Sequence, residues 1–307
     1  MSIATASPPR VLPSILEGIG NTPLLRLHPP GLPEGVELWA KCEWLNPGAS
    51  VKDRTALSLV TEGERSGGLR PGQTIIDSSS GNTAVGLALV GRAKGYPVEL
   101  VMPESVSEER KRFCRAYGAA ITLTDAFSGS DGALLRVREV VAAEPERYFY
   151  ADQYRNPANP LAHYRTTGPE IWEQTTGRVT HFVAGLGTSG TVMGVGRYLR
   201  ERSPRVRIVA VEPDDALHGL EGLKHMPTSI VPEIYDPHAH DEVVRVATED
   251  GYRMREEVLR ECGLFVGHSA GAALQAAREV ARPLRGGVVV VLLPDGGERY
   301  LSANAAV

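Results

Sequence analysis

The chain has 307 residues, a formal net charge of −4, 42% hydrophobic residues and 23% charged residues. That is enough chain for two domains or one large α/β unit with a sizeable core. The mild acidity and scattered basic residues exclude nucleic acid or an anionic membrane as the expected partner, and no apolar run reaches membrane-spanning length.

Residues 1–10 lack an apolar core and a cleavage site, so they read as a loose tail and not a signal peptide. A cytoplasmic protein is expected. Cys42, Cys114 and Cys262 have no metal-type spacing, and their odd number argues against a disulfide framework. They read as buried, reduced thiols.

The first clear strand pattern is 37–43. It leads into Asn46-Pro47-Gly48-Ala49-Ser50-Val51-Lys52-Asp53-Arg54 and a helical pattern over 53–66. Lys52 stands out because the chain has only five lysines against twenty-eight arginines. A lysine on such a turn is either a solvated charge or an amine placed for covalent chemistry. A short strand at 74–77 then opens the loop Asp77-Ser78-Ser79-Ser80-Gly81-Asn82-Thr83, followed by a helix over 82–94. Small hydroxyls and amides at a helix N-terminus suit an anion such as a carboxylate, although Ser and Asn also serve there as plain caps.

Strand and helix patterns continue to alternate: strand 98–102, helix 107–117, strand 120–124, helix 133–143, strand 148–152 and helix 169–174. Arg110-Lys111-Arg112, next to Glu108 and Glu109, reads as a solvated helix face. Strand 181–185 ends in Gly185-Leu186-Gly187-Thr188-Ser189-Gly190-Thr191, with a helix over 191–202 behind it. The glycines let the backbone close around a phosphate, and successive N–H groups and hydroxyls donate to it. No Gly-Lys-Ser/Thr follows, and the glycine spacing does not fit the dinucleotide fingerprint. After strand 206–211 the stretch 213–242, rich in His, Pro, Gly and Asp, has no clear period and reads as a functional loop. A helix over 249–262, the segment Gly267-His268-Ser269-Ala270-Gly271, a helix over 271–281 and a strand at 287–293 complete the chain. Short apolar strands alternating with helices imply a doubly wound α/β architecture with ligands at the carboxyl ends of the strands. A reactive lysine, a phosphate-type loop, an anion loop and a serine opening a late helix are together what a pyridoxal 5′-phosphate enzyme needs.

Assembled in order, these segments resemble the fold-type II pyridoxal phosphate enzymes, and among them the cysteine synthases (O-acetylserine sulfhydrylases). Ile19-Gly20-Asn21-Thr22-Pro23-Leu24 matches the opening motif, the segment around Lys52 the Schiff-base lysine, and Ser79-Ser80-Gly81-Asn82-Thr83 the substrate-carboxylate loop. Gly187-Thr188-Ser189-Gly190-Thr191 matches the phosphate loop, Gly267-His268-Ser269-Ala270-Gly271 the pyridine-nitrogen segment, and Glu298-Arg299-Tyr300-Leu301-Ser302 the C-terminal signature. Asn156-Pro157-Ala158-Asn159, His163-Tyr164 and Thr167-Gly168-Pro169-Glu170 follow the shared pattern. The stretch Val231-Pro232-Glu233-Ile234-Tyr235-Asp236-Pro237 and Asp295 before Gly296-Gly297 are more similar to the B-type cysteine synthases.

The resemblance implies two doubly wound α/β domains with the cofactor in the cleft between them. The smaller, mobile domain would span 46–156 with 1–23 packing nearby; the larger would take 24–45 and 157–307. Lys52 would carry pyridoxal 5′-phosphate as a Schiff base and act as the base at Cα. Gly187, Thr188, Ser189, Gly190 and Thr191 would hold the phosphate, Asn82 the ring hydroxyl, and Ser269 would face the ring nitrogen. Ser79, Ser80, Asn82, Thr83 and Gln153 would hold the substrate carboxylate.

The implied reaction replaces the β-substituent of O-acetyl-L-serine or O-phospho-L-serine by a sulfur donor. Sulfide, thiosulfate or a thiocarboxylated carrier protein are the donors in view, and a homodimer is implied. Lys224 stands near where some B-type members use an arginine for O-phosphoserine; it keeps the charge and loses the bidentate fork. Ser79 for the usual threonine, Asp77-Ser78 in the lead-in and Ala84 after Thr83 are further departures. The alternatives are a cystathionine β-synthase-like core, a serine or threonine dehydratase, and a non-catalytic ligand-binding paralogue.

Overall fold

The computed structural model describes residues 11–29 and 31–301. The expected tail at 1–10 and Ser302 of the last motif lie outside the described residues. The strands, in chain order, are β1 (Leu24–Leu27), β2 (Val36–Cys42), β3 (Thr74–Ser78), β4 (Val98–Pro103), β5 (Ala120–Thr124), β6 (Tyr148–Tyr150), β7 (Val179–Gly185), β8 (Arg207–Pro213), β9 (Glu242–Val246) and β10 (Gly287–Leu293). The helices are α1 (Lys52–Ser66), α2 (Asn82–Lys94), α3 (Glu108–Ala116), α4 (Gly129–Ala143), α5 (Ala158–Ala162), α6 (Gly168–Gln174), α7 (Gly190–Arg202), α8 (Thr248–Cys262) and α9 (His268–Ala281).

The strands form two sheets. One runs β1-β2-β10-β7-β8-β9 and is parallel except for the antiparallel β1–β2 pair; the other runs β5-β4-β3-β6 and is parallel throughout. Each is covered on both faces. On the larger sheet, Met254, Val258, Ala273 and Ala277 of α8 and α9 pack on one side, and Ile171, Val192, Val195 and Leu199 of α6 and α7 on the other. On the smaller sheet, α1 and α2 bury Ala56, Leu59, Leu87 and Val90 on one side, while Ala133 and Val137 of α4 cover the other. The continuous run Val288–Leu293 in β10, buried throughout, is what a central parallel strand with two covered faces demands.

Three elements have no counterpart in the sequence expectation. β1 is a four-residue edge strand with two exposed side chains, too short to show a period. β9 lies at the end of the polar stretch, where only Val244 and Val246 are fully buried. α5 carries proline at its N-cap and at position 160, which hides a one-turn helix that continues through a π-turn at His163–Thr167. The strand expected over 148–152 stops at Tyr150, and Asp152 takes the left-handed region at φ 47°. Of the cysteines, Cys42 and Cys114 are buried and Cys262 is half-buried; all three are free thiols.

The two halves meet over a buried cluster of charge. Arg54 of α1 bonds both oxygens of Glu43 (2.7 and 2.9 Å) and both of Glu170 in α6 (2.6 and 2.7 Å). Lys41, on β2 and fully buried, donates to Glu170 at 2.7 Å, Thr22 O at 2.5 Å and Gln174 at 2.9 Å. Burial alone would push Glu43 up, but Arg54, Lys41 and the Thr22 hydroxyl hold it down at about 2. Two cations face two anions, so the cluster is neutral as a whole while each member depends on the others. Removing one carboxylate leaves a buried charge uncompensated, which costs more than the intact cluster contributes. Glu43→Ala is therefore expected to lower unfolding free energy by about 3–5 kcal/mol, read as a shift in the urea midpoint at unchanged slope. A loss within about 0.5 kcal/mol, the range of an ordinary surface substitution, would show that the cluster does not hold the halves together.

Candidate active site

The turn after β2 is fastened to the far end of β10. The Val51 N–H donates to Pro294 O at 2.9 Å, Ser50 pairs with Asp295 in an antiparallel bridge, and Arg299 donates to Gly48 O. Asp53 closes the turn by accepting from the Gly48 N–H at 2.5 Å, and a side chain at Gly48 would run into that carboxylate. Lys52 is thereby fixed as the first residue of α1, half-buried, on the wall of a cavity of about 380 Å³. Burial lowers the pKa of its amine, against the pull of the Asp295 carboxylate. The cavity lies where the carboxyl ends of strands from both sheets converge, as open α/β folds require of a ligand site.

Ser79, Ser80, Asn82, Thr83 and Gln153 line the same cavity. The Ser79 Oγ accepts from the Gly81 and Ala84 N–H groups (3.3 and 3.1 Å), so it takes over the capping that Gly81, the N-cap of α2, cannot supply. Its own O–H remains to be given to a ligand. Asn82 donates to Asp295 Oδ2 at 2.7 Å, which couples α2 to the end of β10. The Thr83 hydroxyl donates to Gln153 Oε1 at 2.7 Å, and Gln153 Nε2 donates to Ser78 O at 3.0 Å. Thr83 thus orients Gln153, and the second Nε2–H of Gln153 is the donor left over.

The loop after β7 begins in the cavity wall with Gly187 and Thr188. Ser189, Gly190 and Thr191 are not part of that wall; they carry the loop into the first turn of α7. Ser189 sits in the left-handed region at φ 71°, a conformation that costs a non-glycine residue and is found where the surroundings hold it in place. A side chain at Gly187 would meet Gly222 O, and one at Gly190 would meet the Asn159 amide. The Ser189 Oγ is buried without a hydrogen-bond partner among the described residues. A glycine-packed loop, an unpartnered hydroxyl and the first turn of a thirteen-residue helix, whose Gly190 N–H donates to Thr188 Oγ1 at 3.4 Å, make a cradle that fits a phosphate.

Ser269 is buried in the first turn of α9 but does not cap it; the N-cap is Gly267, with no side-chain bond. It does not line the cavity, and its Oγ lies behind Gly222, which does. Lys224 lines the opposite wall, its Nζ 3.5 Å from Asp131 Oδ1 and 5.2 Å over the Tyr154 ring.

Several contributors were not anticipated. Arg110 is no solvated charge: it lines the cavity, pairs with Glu221 at 2.5 Å and lies 5.3 Å over the Tyr300 ring. Its neighbour Lys111 is buried, donating to Glu104 O and Glu108, so only Arg112 of the triplet is exposed. Asp295, raised in pKa by burial, accepts from both Asn82 and Tyr300. Asn159 and His163 lie four residues apart, and that spacing was the available sign that both face one way.

The family described as pyridoxal-phosphate dependent enzyme matches residues 15–295. Cysteine synthase of Aquifex aeolicus is 51% identical over 296 residues, covering 94% of this chain and 90% of that protein. Cysteine synthase B of Salmonella typhimurium is 44% identical over 289 residues, 93% of each. The crystal structure of a cysteine synthase from Entamoeba histolytica superposes with a TM-score of 0.94 at 37% identity, covering 100% of this chain and 95% of that one. The chain belongs to the fold-type II pyridoxal phosphate enzymes of the cysteine synthase family, with B-type members among its relatives.

Burial raises Asp53 to about 7, and its Oδ1 has no hydrogen-bond partner among the described residues. A carboxyl raised in the folded state stabilises fully below its unfolded value near 4, and the contribution fades as pH rises through 7. Asp53→Asn keeps an acceptor for Gly48 and cannot ionise. The stability of the natural chain relative to Asp53→Asn is expected to fall between pH 4 and pH 7 and then level off. Parallel stability profiles for the two, from urea unfolding at each pH, would remove Asp53 as a proton-linked group.

Proposed function

We propose that this chain is a cysteine synthase, replacing the β-substituent of O-acetyl-L-serine or O-phospho-L-serine with a sulfur donor to give L-cysteine. The observation that carries the reading is the meeting, around one cavity, of the Lys52 amine, its pKa lowered by burial, with the donor-rich start of α2 and the Gly187-Thr188 stretch that leads into α7. Lys52 would hold the aldehyde carbon of pyridoxal 5′-phosphate, the 187–191 loop its phosphate, Asn82 its ring hydroxyl and Ser269 its ring nitrogen. When bound, the cofactor supplies the electron sink that makes the Cα proton removable and the β-substituent able to leave.

The rest falls to the chain's own side chains. Burial lowers the pKa of the Lys52 Nζ, so it gives up its own proton more readily than a solvated lysine and would take the Cα proton and later return it. Ser79 and Ser80 hydroxyls, the spare Gln153 N–H and the α2 amides would grip the substrate carboxylate, and Thr83 keeps Gln153 turned the right way. Lys224 would face the leaving group. Asp131 neutralises part of its charge, which supports tolerance of acetyl as well as phosphoryl.

The reading includes closure of the 46–156 domain over the bound substrate, since Asp131 and Arg110 already reach across to Lys224 and Glu221. It also includes a cytoplasmic homodimer. Exposed Val11, Leu12, Ile15, Leu25 and Leu45 near the first strand support self-association. Sulfide, thiosulfate or a thiocarboxylated carrier protein would supply the sulfur. Among the described residues no helix is long and apolar enough to cross a membrane.

Lys52→Ala is expected to lower L-cysteine formation by at least about 10³-fold, in an assay supplying activated serine and sulfide. Near-normal turnover, or release of pyruvate without L-cysteine by the natural chain, would overturn the reading. Lys224→Ala is expected to slow the first half-reaction with O-phospho-L-serine about tenfold and to leave O-acetyl-L-serine nearly unaffected. Stopped-flow spectra with each substrate decide it, and equal losses would take Lys224 out of the selectivity argument.

A further inference from the structure

Asn159 and His163, on α5 and the π-turn that follows, stand between the start of α1 and the 187–191 loop. Asn159 Nδ2 donates to Gln153 O at 2.7 Å and to Thr188 Oγ1 at 3.0 Å. A backbone carbonyl only accepts, so the amide orientation is fixed and Oδ1 faces Thr55. The Thr55 hydroxyl, one turn beyond Lys52, gives its single proton to that Oδ1 at 3.3 Å. Thr55 Oγ1 therefore has only lone pairs to offer His163 Nε2, 3.4 Å away. Nε2 must carry the ring proton; the other tautomer would set lone pair against lone pair. Nδ1 is then bare and accepts the Thr167 hydroxyl at 3.0 Å. The ring is neutral, because burial pushes it down to about 3, with the charges of Arg54 and Lys52 adding to the effect.

The second neighbour of Nε2 is Thr191 Oγ1, at 3.3 Å. A protonated Nε2 has no lone pair to accept from Thr191, so the Thr191 O–H cannot be spent on the ring and is free. We propose that His163, held as the Nε2–H tautomer by the Asn159–Thr55 pair, is a positioning residue that turns the Thr191 hydroxyl into a donor for the phosphate gripped by the 187–191 loop. The proposal rests on the cofactor reading above, since it takes that phosphate to be the one on pyridoxal 5′-phosphate. It gives the buried π-turn a purpose. Without the Nε2–H, the Thr191 proton could turn back onto the ring and be lost to the phosphate. It also links the loop to Lys52, because the tautomer is set from α1 through Thr55.

The test uses the full chain loaded with pyridoxal 5′-phosphate and labelled with 15N in the imidazole rings. Of the eight histidines, His163 is identified as the signal that vanishes in His163→Gln. Its two-bond 1H–15N pattern is expected to show a protonated Nε2 and a bare Nδ1; a bare Nε2 would overturn the proposal. Affinity for pyridoxal 5′-phosphate gives the second readout. His163→Met, which cannot donate, is expected to bind it about 10- to 100-fold more weakly. His163→Gln, whose amide can donate from a similar place, should stay within about threefold of the natural chain. In a Thr191→Val background the His163→Met penalty should shrink to about twofold. An undiminished penalty there would mean that His163 acts only on the fold, and the proposal would fail. If His163→Met does not fold, the spectrum of the natural chain still decides. A natural chain that takes up no pyridoxal 5′-phosphate would remove the cofactor reading and this inference together. One that takes it up with a bare Nε2 removes the inference alone.

Discussion

The quartet Lys41, Glu43, Arg54 and Glu170 is the constraint on which the rest of the molecule is arranged. It joins β2, the start of α1 and α6, and so reaches across from the larger sheet to the smaller. Arg54 is two residues past Lys52. Wherever the guanidinium is held, the Lys52 amine is held also. Buried ion pairs contribute little net stability against an apolar packing of equal volume, but their geometry tolerates few alternatives. Arg54, clamped by two carboxylates at once, leaves α1 little freedom to slide or rotate. Precision at Lys52 is what the charge cluster adds.

The same logic of limited choice runs through the hydrogen bonds around the cavity. Each hydroxyl has one proton to give, and each amide has one acceptor and two donors. Following those counts outward from fixed backbone carbonyls tells which groups face a ligand with a proton to spare. Thr83 has spent its proton on Gln153, while Ser79 has accepted from the helix and kept its own. Two residues of similar chemistry in one loop thus stand differently, one with its proton spent on a neighbour and the other with its proton still to give.

Much of this was legible beforehand. The alternation of short apolar runs with helices specified a parallel α/β architecture, and the 187–191 loop stood out by its glycines and hydroxyls, while density alone left the 79–83 loop open between an anion site and a helix cap. What could not be read has a common physical cause: it depends on contacts distant in sequence. Arg110 looks like part of a solvated triplet until Glu221 and Tyr300 are folded against it. Asp295 is just an acid before two glycines until Asn82, 213 residues away, donates to it. β9 is masked by the polar stretch in front of it, and α5 by its own prolines. Composition and period report local preference, and these features are decided by tertiary neighbours that override it.

The unsatisfied groups are the last link. Ser189 Oγ and Asp295 Oδ1 are buried without hydrogen-bond partners among the described residues, and so is Ser78 Oγ on the cavity wall. Each such group costs about 1–3 kcal/mol in the folded chain. Spread over a surface, three would be unremarkable, since water would serve them. Here Ser78 is on the wall that also carries Lys52, Arg110 and Lys224, Ser189 follows the wall residue Thr188, and Asp295 accepts from the wall residues Asn82 and Tyr300. A chain selected only for stability would have removed them or given them partners. The two serine hydroxyls among them are donors, set beside the cleft before any ligand arrives. An anionic ligand can accept from the serine hydroxyls that the fold by itself leaves open, and the stability forgone there returns as affinity.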